Sequence, residues 1–135
     1  MTAHSADLQK ALWTALAGDA ALGALLGGPK VFDGPPAGTP FPYVALGRFS
    51  TLDWSTASEG GEEALFSLHV WSRGRGRAQA QAIGAQARAI VEALGGTMGA
   101  SRLVSLRFLG ADWQALEAGA VQRGSLRFRA VLEAL

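Results

Sequence analysis

Cysteine and asparagine are both absent from the 135-residue chain. Without cysteine the protein has no disulfide framework, thiolate zinc site, iron–sulfur cluster or cysteine nucleophile. Without asparagine it has no N-glycosylation acceptor. Only 17% of the residues are charged and 49% are hydrophobic, a composition unlike that of disordered proteins. The length falls in the range of one domain, so we expect a single folded domain over residues 1–135.

A strong net charge is also lacking, since the formal charge at pH 7 is +1. This argues against a dominant electrostatic attraction to nucleic acid or to an anionic membrane. The charge is unevenly spread: residues 1–67 carry a net −4 and residues 68–135 a net +5. Such a split is compatible with a neutral mosaic or with two oppositely charged faces that suit head-to-tail association of identical subunits. The sequence leaves both open.

Residues 11–28 are almost uncharged and invite comparison with a membrane span or a signal peptide. Asp19 lies in the middle of this stretch. A central aspartate costs about 2.5–3.5 kcal/mol on the insertion scale, and the surrounding alanines and glycines offset little of that cost. We therefore expect a soluble chain without a processed leader.

Apolar residues at helical spacing predict two helices near the N-terminus and a third in the middle of the chain. Ser5 is the predicted N-cap of the first helix, which ends at Gly18. Asp19 caps a short second helix that ends at Gly27. Residues 79–94 form the third, amphipathic helix.

Alternating apolar residues predict four strands, at 43–52, 63–72, 104–108 and 121–132. Between them, residues 53–61 and 110–119 are predicted as loops, and the proline-rich residues 33–42 as a surface connection. The order α(α)-β-β-α-β-β indicates an α+β domain. Its mainly antiparallel sheet of about four strands is expected to carry the helices on one face.

Motifs of catalysis are missing from the sequence. It contains no P-loop, no dinucleotide glycine fingerprint, no G-x-S-x-G elbow and no H-E-x-x-H. Of the two histidines, His4 lies near the N-terminus and His69 lies in a predicted strand beside Trp71. No serine, carboxylate or second histidine is placed in the sequence to serve His69, so we interpret it as a packing or surface residue. The sequence predicts no catalytic residue, metal site or cofactor.

Acidic residues cluster around the loop at 53–61: Asp53, Glu59, Glu62 and Glu63. Paired carboxylates of this kind suggest a divalent-cation site or a solvated acidic loop. The glycine-centred spacing of a calcium loop is absent and few other oxygen ligands lie nearby. We therefore favour the solvated loop, which is available for contact with another protein.

Arginines alternate with glycines at Arg73, Arg75 and Arg77. A basic, glycine-hinged turn of this kind suggests phosphate or DNA binding. The run is short and has no interleaved aromatic residues, which favours a flexible turn whose arginines pair with the acidic half of a neighbouring subunit.

Two tryptophans and an arginine stripe are further candidates for contacts with a partner. Trp54 and Trp113 lie in predicted loops, where such a large side chain either folds back onto the core or anchors a partner. Arg123, Arg127 and Arg129 lie on one face of the last predicted strand. That stripe is an ordinary solvated face or an inter-subunit salt-bridge surface.

Several short runs occur in an order that extends over nearly the whole chain. They are Leu22 to Gly28 with its closing glycine pair, Pro42-Tyr43-Val44 with Gly47 after it, Trp54, Val70-Trp71-Ser72, and Arg127-Phe128-Arg129. In this order and within this length they resemble the tail terminator, or tail completion, proteins of long-tailed bacteriophages and of phage-derived gene transfer agents. None of the runs is catalytic.

The resemblance implies a non-enzymatic virion protein at the head–tail junction. Its subunits would form a homohexameric ring at the head-proximal end of the tail tube, end tube growth and join the tail to the head connector. The implied partners are other copies of the chain, the tube protein, the connector and, transiently, DNA in the lumen. We expect the loops at 53–63 and 110–119 to make these contacts, with Trp54 and Trp113 as anchors. The alternative is a small enzyme or nucleic-acid-binding domain with an unrecognised site.

Overall fold

The computed structural model describes residues 3–55, 60–74 and 76–135. The three helices are α1 (Ala3–Ala17), α2 (Ala20–Leu26) and α3 (Ala78–Glu92). The strands are β1 (Val31–Phe32), β2 (Tyr43–Asp53), β3 (Gly61–Arg73), β4 (Thr97–Met98), β5 (Ser101–Leu116) and β6 (Val121–Ala134). A single 3-10 turn, Glu117–Gly119, joins β5 to β6.

The strands form one six-stranded sheet in the order β1-β2-β3-β6-β5-β4. Every neighbouring pair is antiparallel except β1 with β2. The predicted α+β class is confirmed, and the four predicted strands correspond to β2, β3, β5 and β6. The predicted strand number is wrong because β1 and β4 were missed. Two residues are too few to show an alternating pattern, so only pairing with a neighbour reveals such strands.

The two ends of α2 follow from two capping residues. The Asp19 carboxylate accepts a hydrogen bond of 2.8 Å from the backbone N–H of Leu22, and Gly27 ends α2 in the left-handed region at φ 77°. Both predictions are confirmed. Ser5 is not the N-cap of α1, which already includes Ala3. Its hydroxyl instead donates a 2.7 Å hydrogen bond to Glu62 on β3.

One face of the sheet packs against the helices and forms the core. In β3 and β6 the even-numbered side chains point to this face, as the alternation predicted: Ala64, Phe66, Leu68, Val70, Leu126, Phe128, Ala130 and Leu132 are buried. An aromatic row crosses four strands here, with ring centroids 5.3–5.5 Å apart, from Phe49 through Phe66 and Phe128 to Phe108. Each such pair contributes about 0.5–1.5 kcal/mol beyond its buried area.

The predicted loop at 110–119 is wrong, because β5 continues to Leu116. Residues 110–116 pair with residues 121–127 of β6, and only residues 117–120 lie between the strands. Three consecutive positions with positive φ, Glu117 at 50°, Ala118 at 55° and Gly119 at 89°, reverse the chain in this turn. The two strands therefore form one long hairpin.

Two bulges in β5 explain why its alternation was hard to recognise. Register shifts lie between Leu103 and Ser105 and between Phe108 and Gly110, so Val104 and Leu109 are extra residues relative to β6. Each extra residue moves the following side chains to the other face. Val104 is accordingly exposed, although Phe108 in the same strand packs against the core.

Trp113 lies in β5 and packs against the core, so its predicted place in a loop is wrong. Its indole fits between α3 and β6, where both contacting residues are glycines. A Cβ atom at Gly84 would lie 2.6 Å from the indole Cη2, and a Cβ at Gly124 would overlap the ring. The two glycines make room for the tryptophan.

We predict that Gly124→Ala lowers the free energy of unfolding by about 1–3 kcal/mol, because the added methyl group overpacks the Trp113 site. Equilibrium unfolding in urea measures the change. Gly95→Ala is the matched control, since a Cβ there meets nothing within 4 Å and no positive φ constrains it. Equal stability of the Gly124→Ala variant and the wild type would contradict this packing.

Candidate interaction surfaces

The face of the sheet away from the helices carries most of the polar residues of the strands. We call it the open face. It comprises Tyr43 and Ala45 of β2, the odd-numbered residues 63–73 of β3, the odd-numbered residues 123–133 of β6, and their neighbours Ser105, Arg107, Asp112 and Gln114 on β5. No helix lies against it in the described part of the chain, so it is one candidate surface for a partner.

Arginines on the open face pair with carboxylates of the same subunit. Arg129 donates to Glu63 at 2.8 Å across β3 and β6, and Arg127 pairs with Asp112 across β5 and β6. The arginine stripe is therefore largely neutralised inside the subunit. Glu63 comes from the acidic half of the sequence and Arg129 from the basic half, so this part of the charge split folds into a neutral mosaic.

Aromatic rings gather at one end of the open face. Tyr43 and Trp71 stack with centroids 6.2 Å apart, and Phe41 lies 6.4 Å from Trp71. The guanidinium of Arg73 lies 4.7 Å from the Phe41 centroid, and that of Arg123 lies 5.6 Å from the Trp71 centroid. Each contact of this kind contributes about 0.5–1 kcal/mol at an exposed site. Arg73 is thus held against a ring rather than extended into solvent.

His69 has a partner that the sequence analysis did not find. Its Nδ1 lies 2.9 Å from the hydroxyl of Ser125, which is its register partner on β6. The interpretation that no serine serves His69 was wrong, because only strand register brings the two residues together. Burial, and secondarily the positive charge of Arg123, lowers the pKa of His69. No described carboxylate bonds to the ring, so the pair lacks the group that orients a catalytic histidine.

We predict that stability falls as the pH drops from 7 to 5, because the unfolded state then binds a proton on His69 more readily than the folded state does. The limit for one proton is about 1.4 kcal/mol per pH unit. The His69→Gln variant should show a smaller change in the free energy of unfolding with pH. The control variant, His4→Gln, should keep the contribution that His69 makes to this change. Urea unfolding at several pH values measures both. An unchanged slope in His69→Gln would contradict the assignment.

Asp53, the last residue of β2, and Trp54, the first residue of the following loop, are both exposed. The Asp53 carboxylate accepts hydrogen bonds from the Ser55 hydroxyl at 2.6 Å and the Ser55 N–H at 3.2 Å, and these bonds lower the pKa of Asp53. Trp54 is 53% exposed. The backbone N–H of Trp54 donates to the carbonyl of Gly61 at 2.9 Å, and this bond joins the two ends of the loop. Glu59 lies outside the described residues.

The other predicted contact residues separate in space. Glu62 is only 7% exposed and lies on the helix-covered face beside Ser5, so it is not available to a partner. The reason is strand alternation, which points Glu62 and Glu63 to opposite faces. Arg77 is exposed at the start of α3, whereas Arg75 lies outside the described residues. The predicted set therefore does not form one site.

The carboxylates of the described residues do not converge on a cation site. In residues 3–55, 60–74 and 76–135, no group of three or more His, Asp or Glu side chains is placed to hold a metal ion. Over the same residues, no helix is long and apolar enough to cross a membrane.

A groove beside α1 was also missed by the sequence analysis. It has a volume of about 350 Å³ and is lined by Ala6, Gln9, Lys10, Trp13, Asp33 and Leu46. The indole N–H of Trp13 donates to the carbonyl of Val31 at 3.1 Å, which leaves a ring face exposed. The signal in the sequence was the position of Trp13 beside, rather than on, the buried leucine stripe of α1.

The comparisons with known proteins agree with this fold over most of the chain. A family model described as tail completion protein gp17 matches residues 10–133. The chain belongs to the tail completion protein gp17 family. Its structure is also similar to a chain in the virion of a native gene transfer agent particle, with 32% identity and a TM-score of 0.89. That match covers 99% of this chain and 100% of the other.

A second similar structure is that of the bacteriophage SPP1 gp17 protein. It is 24% identical, covers 96% of this chain and 91% of that one, and has a TM-score of 0.69. At this identity the likeness shows the fold alone. No match was found among curated protein sequences.

Family membership confirms the resemblance that the short sequence runs indicated. The family is one of structural virion proteins, and the predicted structural role in the tail of a phage or gene transfer particle is confirmed. The surfaces of this family member are therefore best understood as contacts with other tail and head proteins.

Proposed function

We propose that the protein forms a hexameric ring at the head-proximal end of the tail tube, where it stops tube growth and joins the tail to the head connector. The observation that carries this proposal is the end-to-end similarity to a chain of a gene transfer agent virion, at a TM-score of 0.89. The family description, tail completion, supports the position at the end of the tail. Transient contact with DNA in the lumen stays a prediction.

A terminating ring needs several separate contact surfaces on each subunit. Neighbours in a ring meet through two different surfaces, because head-to-tail contacts are heterologous. The tube and the connector require two more. The subunit offers three such surfaces: the exposed loop after β2, the open face with its aromatic end, and the groove beside α1. This distribution supports a subunit with many neighbours.

Trp54 is the strongest candidate for an anchor in the loop after β2. Tryptophan is enriched among the residues that dominate binding energy, and this one is more than half exposed in the isolated subunit. Hydrogen bonds from Ser55 lower the pKa of Asp53 beside it, which favours the anionic form of this carboxyl group. We propose that this loop contacts the tube or a neighbouring subunit.

We predict that Trp54→Ala abolishes tube capping and changes the free energy of unfolding by less than about 0.5 kcal/mol, as expected for an exposed site. Trp113→Ala is the matched comparison, since it removes a half-buried indole and should cost about 2–4 kcal/mol. Urea unfolding and negative-stain microscopy of tube ends measure the two effects. Normal capping by the Trp54→Ala variant would remove Trp54 from the interface.

We also predict that the purified protein, mixed with short tail tubes, caps one end of each tube. Light scattering gives the mass of the free protein, and microscopy shows rings and capped ends. Tubes without the protein are the control and should keep growing when tube subunits are added. A protein that remains monomeric and never binds a tube end would contradict the proposed function.

A further inference from the structure

The outer two of the four long strands, β2 and β5, each have a long free edge. β1 pairs only with Val44 and Ala45 of β2, so residues 46–53 have no outer strand partner in the described part of the chain. β4 pairs only with Ser101 and Arg102 of β5, and the Leu103 N–H bonds to Gly96. From residue 104 to 116, β5 likewise pairs only with β6 among the described residues. Rows of unpaired N–H and C=O groups are templates for another strand.

The two free edges lie at the same height in the sheet. Register can be followed across all four long strands: Leu46 pairs with Leu68, Leu68 with Leu126, and Leu126 with Ala111. At the other end the sequence of partners is Asp53, Glu62, Leu132 and Leu103. The free edges, residues 46–53 of β2 and 104–111 of β5, thus lie at nearly the same height, with Leu46 level with Ala111 and Leu52 level with Ser105.

The directions of the two edges also fit. β2, β3, β6 and β5 are successively antiparallel, so β2 and β5 run in opposite directions. A rotation about an axis along the strands places the β5 edge of one copy beside the β2 edge of the next. The new pair is then antiparallel, and the same contact repeats around a ring.

Exposed apolar side chains mark both edges. Leu52 is 61% exposed on β2, and Val104 and Leu109 are 48% and 44% exposed on β5. Natural free edges are usually protected by charged residues, proline or β-bulges, and of these devices both edges contain bulges. Neither of these edges contains proline or lysine, and each carries a single arginine, Arg48 or Arg107. Burial against a second copy would remove the three apolar side chains from water.

We propose that residues 104–111 of β5 pair, antiparallel, with residues 46–53 of β2 in a second copy of this chain. This inference rests on the proposed ring and names the contact that closes it. Pairing extends the sheet from one subunit into the next, so backbone hydrogen bonds provide the affinity and the exposed apolar residues set the register.

Disulfide cross-linking tests the contact directly, because the natural chain contains no cysteine. Leu52 and Ser105 lie at the same height in the sheet, because Leu52 pairs with Glu63, Glu63 with Val131 and Val131 with Ser105. Both residues are exposed. Within one subunit two strands separate them, which is about 14 Å at the usual strand spacing. That exceeds the limit of about 7 Å between the Cα atoms of a disulfide. A Leu52→Cys/Ser105→Cys disulfide therefore joins only different copies.

We expect the double variant, oxidised with tail tubes present, to give a reductant-sensitive ladder of covalent oligomers up to the ring. A mixture of the two single variants should give covalent dimers only. The matched control is Leu52→Cys/Gln114→Cys, since Gln114 lies on the same face of β5 but pairs with Arg123, near the other end of the strand. No ladder is expected from it.

The outcomes separate this inference from the proposed function. Capped tubes without cross-links would overturn the edge contact and leave the terminating role intact. A ladder of equal strength from the Leu52→Cys/Gln114→Cys control would also overturn the edge contact and leave that role intact. A ladder without capped tubes would support the contact and overturn that role. If neither rings nor cross-links form with wild-type-like folding, both fail. If the Leu52→Cys/Ser105→Cys variant does not fold, the Ser50→Cys/Arg107→Cys variant gives the same test. Ser50 and Arg107 also lie at the same height in the sheet, because Ser50 pairs with Leu65, Leu65 with Arg129 and Arg129 with Arg107.

Discussion

The rest of the molecule depends on the antiparallel pairing of β3 with β6. It runs without a register shift from Gly61 opposite Glu133 to Arg73 opposite Val121. A slip of one residue would turn every side chain of one strand to the opposite face. This register places Phe66 on Phe128 in the core, and it places His69 beside Ser125 on the open face. Core and surface are thus set by the same constraint.

β2 and β5, the outer two of the four long strands, are less regular than this central pair, and their irregularity suits assembly. Bulges interrupt β2 after Leu46 and β5 at Val104 and Leu109. A bulge bends a strand and increases its twist, so the sheet curls toward its edges. The short strands β1 and β4 cover only one end of each edge. The uncovered parts of the β2 and β5 edges have the length, height and direction needed to pair with a neighbouring copy. The local irregularity of these strands is thus linked to the proposed ring.

The uneven distribution of charge along the sequence left a neutral mosaic and two charged faces open, and part of it folds into a mosaic inside the subunit. The pair of Arg129 with Glu63 joins the two oppositely charged halves inside one subunit, and Arg127 pairs with Asp112. Exposed pairs of this kind add little stability. They do, however, engage Arg127 and Arg129 inside the subunit, so backbone and apolar groups are stronger candidates for subunit contacts than these two arginines.

The sequence by itself determined the α+β class, the helix caps at Asp19 and Gly27, and the inward side of β3 and β6, because these depend on local spacing and on single residues. Its short runs also indicated the tail completion family. Only the tertiary structure decided that Trp113 fills a space between Gly84 and Gly124, and that β5 continues past its bulges. Strand register and long-range packing have no local signature. For the same reason the burial of Glu62 and the two free edges became visible only in the folded chain.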